Sequence, residues 1–272
     1  MDQTRYSGII ADAHTHIFPE KIAQKATDSI GSFYDIPMDH TGLAEKLIVS
    51  GSAIGVKKYL VCSTATKAEQ VRSINDFIHA QCQIHPEFLG FATLHPDLTN
   101  WEDEIERILT LGLRGIKLHP DFQRFDIDDA RCIPIYKRLS EAGLPVLFHM
   151  GDDRYDFSAP MRLRRVMDRV PELHSIAAHF GGFRRWGEAL NCLKEGNIWF
   201  DTCSTLFCLN KEEALKTLYT FGVERFFFGT DFPMWDHKEE LERFLSLGLS
   251  KEENDRILYR NFADFYNVDL TK

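Results

Sequence analysis

The stretch IIADAHTHIFP, residues 9–19, sets an Asp and two His at alternate positions inside an apolar run. In an extended chain alternate side chains share a face, so Asp12, His14 and His16 point one way. Two imidazoles side by side at a strand end can chelate a metal. They can equally be polar residues near a surface, so the pair alone decides nothing. What matters is whether other ligands stand at comparable places. His95, Lys117, His119, His149, His179, Asp201 and Asp231 each lie at the end of a short apolar run, and six of the eleven His occupy such ends. Core filling does not explain that concentration. A catalytic divalent metal takes neutral imidazoles and a carboxylate, and keeps a position open for water. The water then gives up a proton near neutral pH. A carboxylate beside it can take that proton.

Such a set needs elements that bring its members to one place. Eight β-type runs recur, at 8–14, 56–63, 88–95, 114–119, 145–149, 174–179, 197–203 and 225–231, each bounded by turn residues. Helical patterns lie between them. Leu163, Val166, Met167 and Val170 form one core-facing stripe, and Trp101, Ile105 and Ile108 another. Several helices run into a Gly just before the next strand, as in LTLGLRGIK and LSEAGLPV. The alternation calls for a parallel sheet in one domain spanning 1–272, and eight units predict a (β/α)8 TIM barrel. A doubly wound open sheet is the alternative, but the GxGxxG loop usual after its first strand is missing. In a barrel the active site lies at the C-terminal ends of the strands, where the His and Asp stand. Alternation puts Lys117 and His119 on one face. It also puts Asp231 on a face with Phe227 and Gly229, the Gly leaving room near a metal.

Composition narrows the function. The net charge of −9 argues against a nucleic-acid footprint, which needs a basic face. No apolar run approaches the roughly 18 residues of a membrane span. The N-terminal MDQTRYSGIIADAH has no basic segment leading into an apolar one, so a cytoplasmic protein is expected. The six Cys, at 62, 82, 132, 192, 203 and 208, form no CxxC and read as reduced thiols of the core and helices.

The words DAHTH, GIKLHP, FHMG, AHFGG and GTDFP, in that order, resemble the amidohydrolase superfamily. The similarity is to the branch that includes aminocarboxymuconate-semialdehyde decarboxylase, aromatic-acid decarboxylases and lactone hydrolases. It runs to the C-terminal ILYRNFADFY, which looks like that family's closing helix. The resemblance implies that His14, His16, His149 and Asp231 bind one metal, usually zinc, with manganese as the other candidate. It implies that His179 activates water or polarises the substrate. In binuclear relatives the equivalents of His179 and a carboxylated Lys117 hold a second metal, which leaves that option open. Asp12 reads as a buried acceptor that orients an imidazole. His95 and His119, each before Pro, also fit as partners of backbone groups at a strand end. Asp201 fits as a polar plug. His237, in the loop after the last run, has no placement that demands a ligand role.

Specificity should come from the loops after the strands. These carry Arg154, Arg184, Arg185 and Trp235, with His119 at a strand end. Arg recognises carboxylates and aromatics supply flat apolar walls. The expected substrate is a small carboxylated molecule; exposed, solubilising Arg is the competing reading. The expected reaction is hydrolysis of a lactone, amide or ester by a metal-activated water, with Asp231 as base and His179 stabilising the oxyanion. The runner-up is a non-oxidative decarboxylase on the same scaffold. Decarboxylase relatives often carry a Glu shortly after the His-x-Gly of the sixth run, where this chain has HFGGF, which tilts the reading towards hydrolysis. A non-catalytic metal binder would lose no activity on Asp231→Asn. A deoxyribonuclease would want a cationic groove. Homodimers are common in the family, and no surface pattern demands one.

Overall fold

The computed structural model describes residues 6–271. Among them run nine strand segments: β1 (Ile10–His16), β2 (Val56–Cys62), β3 (Phe88–Gly90), β4 (Ala92–Thr93), β5 (Ile116–Leu118), β6 (Val146–Phe148), β7 (Ser175–Ala177), β8 (Ile198–Asp201) and β9 (Phe226–Phe227). Every expected run contains a strand. The third is split at Phe91, and the eighth stops at Phe227, four residues short of Asp231. The chain falls into two compact units, one from residues up to 61 together with those from 202 onward, the other from residues 62–201.

In the 62–201 unit, β4 to β8 pair in sequence order and all in parallel. Leu118 stands opposite Phe148, Phe148 opposite Ala177, and Ala177 opposite Phe200. The next residues along three of these strands are His119, His149 and Asp201, so the register brings them level at one edge. Helices separate the strands. Trp101–Thr110 opens with Glu102, Asp103 and Glu104, which suit the positive end of its dipole, and buries Ile105 and Ile108. Pro160–Arg169 starts on a Pro and buries Leu163, Val166 and Met167 as the stripe predicts. Gly112 and Gly143, just past two helix ends, take positive φ.

In the other unit β1 is the anchor. Ala13 N–H donates to Phe228 O at 2.8 Å, and His16 N–H to Phe232 O at 2.7 Å. The Thr15 hydroxyl donates to Leu60 O of β2 at 2.7 Å. The closing segment is tied to β9 by Asn261, whose amide donates to Val223 O and Phe226 O at 2.8 Å each. No helix among the described residues is long and apolar enough to cross a membrane.

Candidate metal centre

β1 presents Asp12, His14 and His16, with Asp12 and His14 wholly buried. His14 Nε2 lies 3.7 Å and His16 Nε2 3.2 Å from Asp231 Oδ1. The rings of the two His are 5.1 Å apart and tilted by 57°. In-plane lone pairs on tilted rings can meet at one point. Two imidazole nitrogens and a carboxylate oxygen gathered this closely could hold a divalent metal ion. His16 and Asp231 keep 13 % of their side-chain surface exposed, which leaves an approach for water or substrate.

Asp231 does not reach this place by strand alternation, as the sequence reading had it. It lies beyond β9 in the left-handed region, φ 58°, and its N–H donates to His14 O at 2.9 Å. That backbone bond compensates a conformation costly for a residue with a Cβ. Its other oxygen, Oδ2, accepts from the Ser204 hydroxyl at 2.6 Å, and Ser204 Oγ accepts from Trp235 Nε1 at 3.0 Å. Asp12 is a buried acceptor that faces an imidazole, and it also holds backbone and hydroxyl groups. Its Oδ1 accepts from His14 N–H and Thr230 N–H, and its Oδ2 from the Thr230 hydroxyl. It thereby ties β1 to the segment before Asp231. The imidazole it faces belongs to His237, whose Nε2 lies 3.0 Å from Asp12 Oδ2. His237 Nδ1 in turn lies 2.8 Å from Ser50 Oγ.

The 62–201 unit carries a second group. His149 and His179 are buried, with His179 Nε2 2.9 Å from His149 Nδ1 and the rings T-shaped at 61°. His149 Nε2 lies 3.0 Å from Gly151 O, which suits a ring that donates there and offers Nδ1 elsewhere. His179 has φ 61° and is held from both sides: its N–H donates to Asp201 Oδ1 at 2.8 Å, and its carbonyl accepts from Trp186 Nε1 at 3.0 Å. Asp201 is more than a plug, since it sets the backbone of His179. Gly151 is required where it stands. Its φ is 79°, and a Cβ there would lie 2.6 Å from backbone atoms of Gly182 and Phe183.

His119, Asp121 and His149 also lie close enough together to suggest an ion. Ring orientation argues against it. His119 and His149 are stacked at 3.9 Å with 6° between planes, and Phe122 stacks on His119 at 3.7 Å. Lone pairs of parallel rings run side by side and do not converge. His119 Nδ1 accepts from Phe122 N–H at 3.3 Å, and His95 Nδ1 from Asp97 N–H at 3.2 Å, both backbone roles at strand ends. Burial pushes His95 below the usual imidazole range. Asp121 Oδ2 accepts from Ser158 at 2.5 Å, while its buried Oδ1 has no hydrogen-bond partner. Burial raises this carboxyl to about 6. Lys117 is wholly buried on β5.

The loop arginines are engaged with carboxylates. Arg154 grips Asp152 through Nε at 2.9 Å and Nη2 at 2.7 Å. Arg184 lies 3.5 Å from Asp153, and Arg185 bonds Asp156 and Glu188, each at 2.7 Å. Trp235 packs against Phe207 at 4.7 Å, with the Arg243 guanidinium 4.6 Å from its ring. Sequence reasoning missed Cys203 and Ser204. Cys203 Sγ lies 3.1 Å from His14 Nδ1. Both residues belong to a turn whose short polar word carries no period, and their partners are 189 and 27 residues away.

The profile of a family described as amidohydrolase matches residues 11–268. No curated protein matches the sequence. Among solved structures, a 5-carboxyvanillate decarboxylase of Novosphingobium aromaticivorans with bound manganese has a TM-score of 0.75 at 16 % identity, over 98 % of this chain and 98 % of that one. A 2,6-dihydroxybenzoate decarboxylase from Rhizobium has 0.72 at 16 %, over 95 % and 98 %. A probable 2-pyrone-4,6-dicarboxylic acid hydrolase of Acinetobacter baumannii has 0.70 at 14 %, over 95 % and 99 %. The expected (β/α)8 barrel is the fold these comparisons support.

Proposed function

Because the chain belongs to the amidohydrolase family, we propose that it is a metal-dependent hydrolase of a small carboxylated lactone, amide or ester. The observation that carries this reading is the convergence of His14, His16 and Asp231 within one unit. These three would hold a divalent metal, with His149 as the further ligand that the family resemblance adds. Zinc is the metal proposed. Manganese is the other candidate, and a structure of similar fold holds it. When bound, the metal supplies a Lewis acid that makes water acidic near neutral pH and polarises a carbonyl.

The chain's own residues do the rest. Asp231 takes the proton of the attacking water and returns it to the leaving group. Ser204 occupies Asp231 Oδ2, so Oδ1 is the oxygen turned to the two His. His179, with its backbone set by Asp201, stabilises the oxyanion. Trp235 offers the substrate an apolar wall, and Arg154, Arg184, Arg185 and His119 are the polar candidates for its carboxylate. A second ion on His179 and Lys117 is the binuclear variant of the same site.

Non-oxidative decarboxylation is the second reading, and the solved decarboxylases of similar fold speak for it. One experiment separates the two. Metal is counted by inductively coupled plasma mass spectrometry, and the loaded protein is then offered lactones, esters and hydroxylated aromatic acids. Proton release from ring opening, lost in Asp231→Asn with the metal retained, is the expected result. Carbon dioxide release would install the second reading, and an inability to bind metal would remove both.

A further inference from the structure

A histidine that gives Nε2 to a metal must carry its proton on Nδ1, and that proton needs an acceptor at the right angle. His14 is wholly buried and turns Nδ1 to the sulfur of Cys203, 3.1 Å away and itself wholly buried. The contact is built from several sides. Thr202 N–H donates to Phe227 O at 3.1 Å, Gly229 N–H to Thr202 Oγ1 at 3.2 Å, and the Thr205 hydroxyl to Cys203 O at 2.9 Å. The turn bearing the sulfur is thus laced to the strand beside β1. Gly229 clears the space: a Cβ there would lie 3.1 Å from His14 Cβ and 3.4 Å from Cys203 Cβ. A side chain at 229 would press on both partners together.

We propose that Cys203 is a positioning residue: its sulfur accepts the Nδ1–H of His14, fixes that tautomer and aims Nε2 at the metal position. The inference rests on the reading of His14 as a ligand. A thiol suits the task because it fills an apolar gap as a small hydrophobe and still offers a polarisable acceptor. A serine oxygen, on a shorter bond, accepts from farther away and restores only part of the effect.

The test is competition between metal-free protein and a chromophoric chelator for zinc and manganese. It compares wild type, Cys203→Ala, Cys203→Ser and, as a buried cysteine elsewhere, Cys132→Ala. Removal of an outer hydrogen-bond partner typically weakens metal binding about 10- to 100-fold. That loss is expected for Cys203→Ala, with partial recovery in Cys203→Ser and none of the loss in Cys132→Ala. Cobalt-loaded Cys203→Ala should also show shifted ligand-field bands. Equal affinities for wild type and Cys203→Ala would overturn the inference and leave the hydrolase reading standing. A wild type that binds no metal would overturn both. Nitrogen NMR of the metal-free wild type gives an answer even if the alanine variant does not fold. His14 protonated on Nδ1 is expected, and protonation on Nε2 would refute the proposal.

Discussion

Two pairs of histidines lie close in space and differ in what they can hold. His14 and His16 are tilted by 57° at 5.1 Å, and a carboxylate oxygen stands before both. His119 and His149 are nearer, at 3.9 Å, but lie within 6° of parallel. Proximity alone would rank the second pair higher. The plane of the ring reverses the order, because the lone pair lies in that plane. The first pair is arranged as a chelate. The second is arranged as a stack, with Phe122 as its third layer.

Substitutions can break this contrast. The largest effect is expected for Asp231→Asn, which keeps a hydrogen-bonding shape but no base. The turnover number should fall about 10²- to 10⁴-fold with metal still bound, as read by steady-state rates beside metal analysis. His16→Ala should bring metal content well below one per chain after dialysis, and retention of a full equivalent would deny the tilted pair its role.

Asp121, beside the stack, yields a stability prediction. Its carboxyl is raised from 3.8 to about 6 by burial, so between these values the folded chain holds a proton that the unfolded chain has lost. Stability contributed by the neutral form is therefore present below pH about 4 and lost as pH rises through about 6. Chemical denaturation of the metal-free protein should show this loss, up to roughly 3 kcal/mol, and Asp121→Asn should abolish the slope. A parallel pH dependence in the two proteins would place the carboxyl in a polar setting instead. Ser204→Ala leaves Asp231 Oδ2 without its donor and should lower turnover roughly 10- to 100-fold at unchanged metal content. The smallest effect belongs to His119→Phe, which keeps the stack. Metal stoichiometry should be the same as wild type, and a drop would make His119 a ligand after all.

How far the sequence reveals all this depends on range. Apolar runs and helical stripes are local patterns, and each of the eight runs contains a strand because burial on a sheet selects short apolar segments. HxH is legible for the same reason, since period two is a property of the chain itself. Asp231 is legible as the carboxylate that ends the eighth run and through the family's GTDFP word, but not in how it is placed. Its placement comes from a left-handed backbone and a bond to His14 O, neither of which has a periodic signature. The contacts of Cys203 with His14, Ser204 with Asp231, and Asp12 with His237 join segments far apart in the chain, and single residue types gave no hint of them. The split at Phe91 was equally invisible, as the run 88–95 is apolar throughout its first seven residues apart from Gly90 and Thr93.

The paired arginines have a thermodynamic consequence. Arg154, Arg184 and Arg185 each already face a resident carboxylate. On the function proposed above, an anionic substrate arriving there would perform an exchange, with one carboxylate displaced for each one seated. Freeing the buried Asp152 from Arg154 would cost free energy, while between exposed partners such as Arg184 and Asp153 the exchange is close to thermoneutral. It acts as a filter for shape and charge and not as a source of affinity. Net binding strength then falls to the apolar faces, and ionic strength, which weakens the departing and the arriving pair alike, should change affinity far less than three guanidinium groups would suggest.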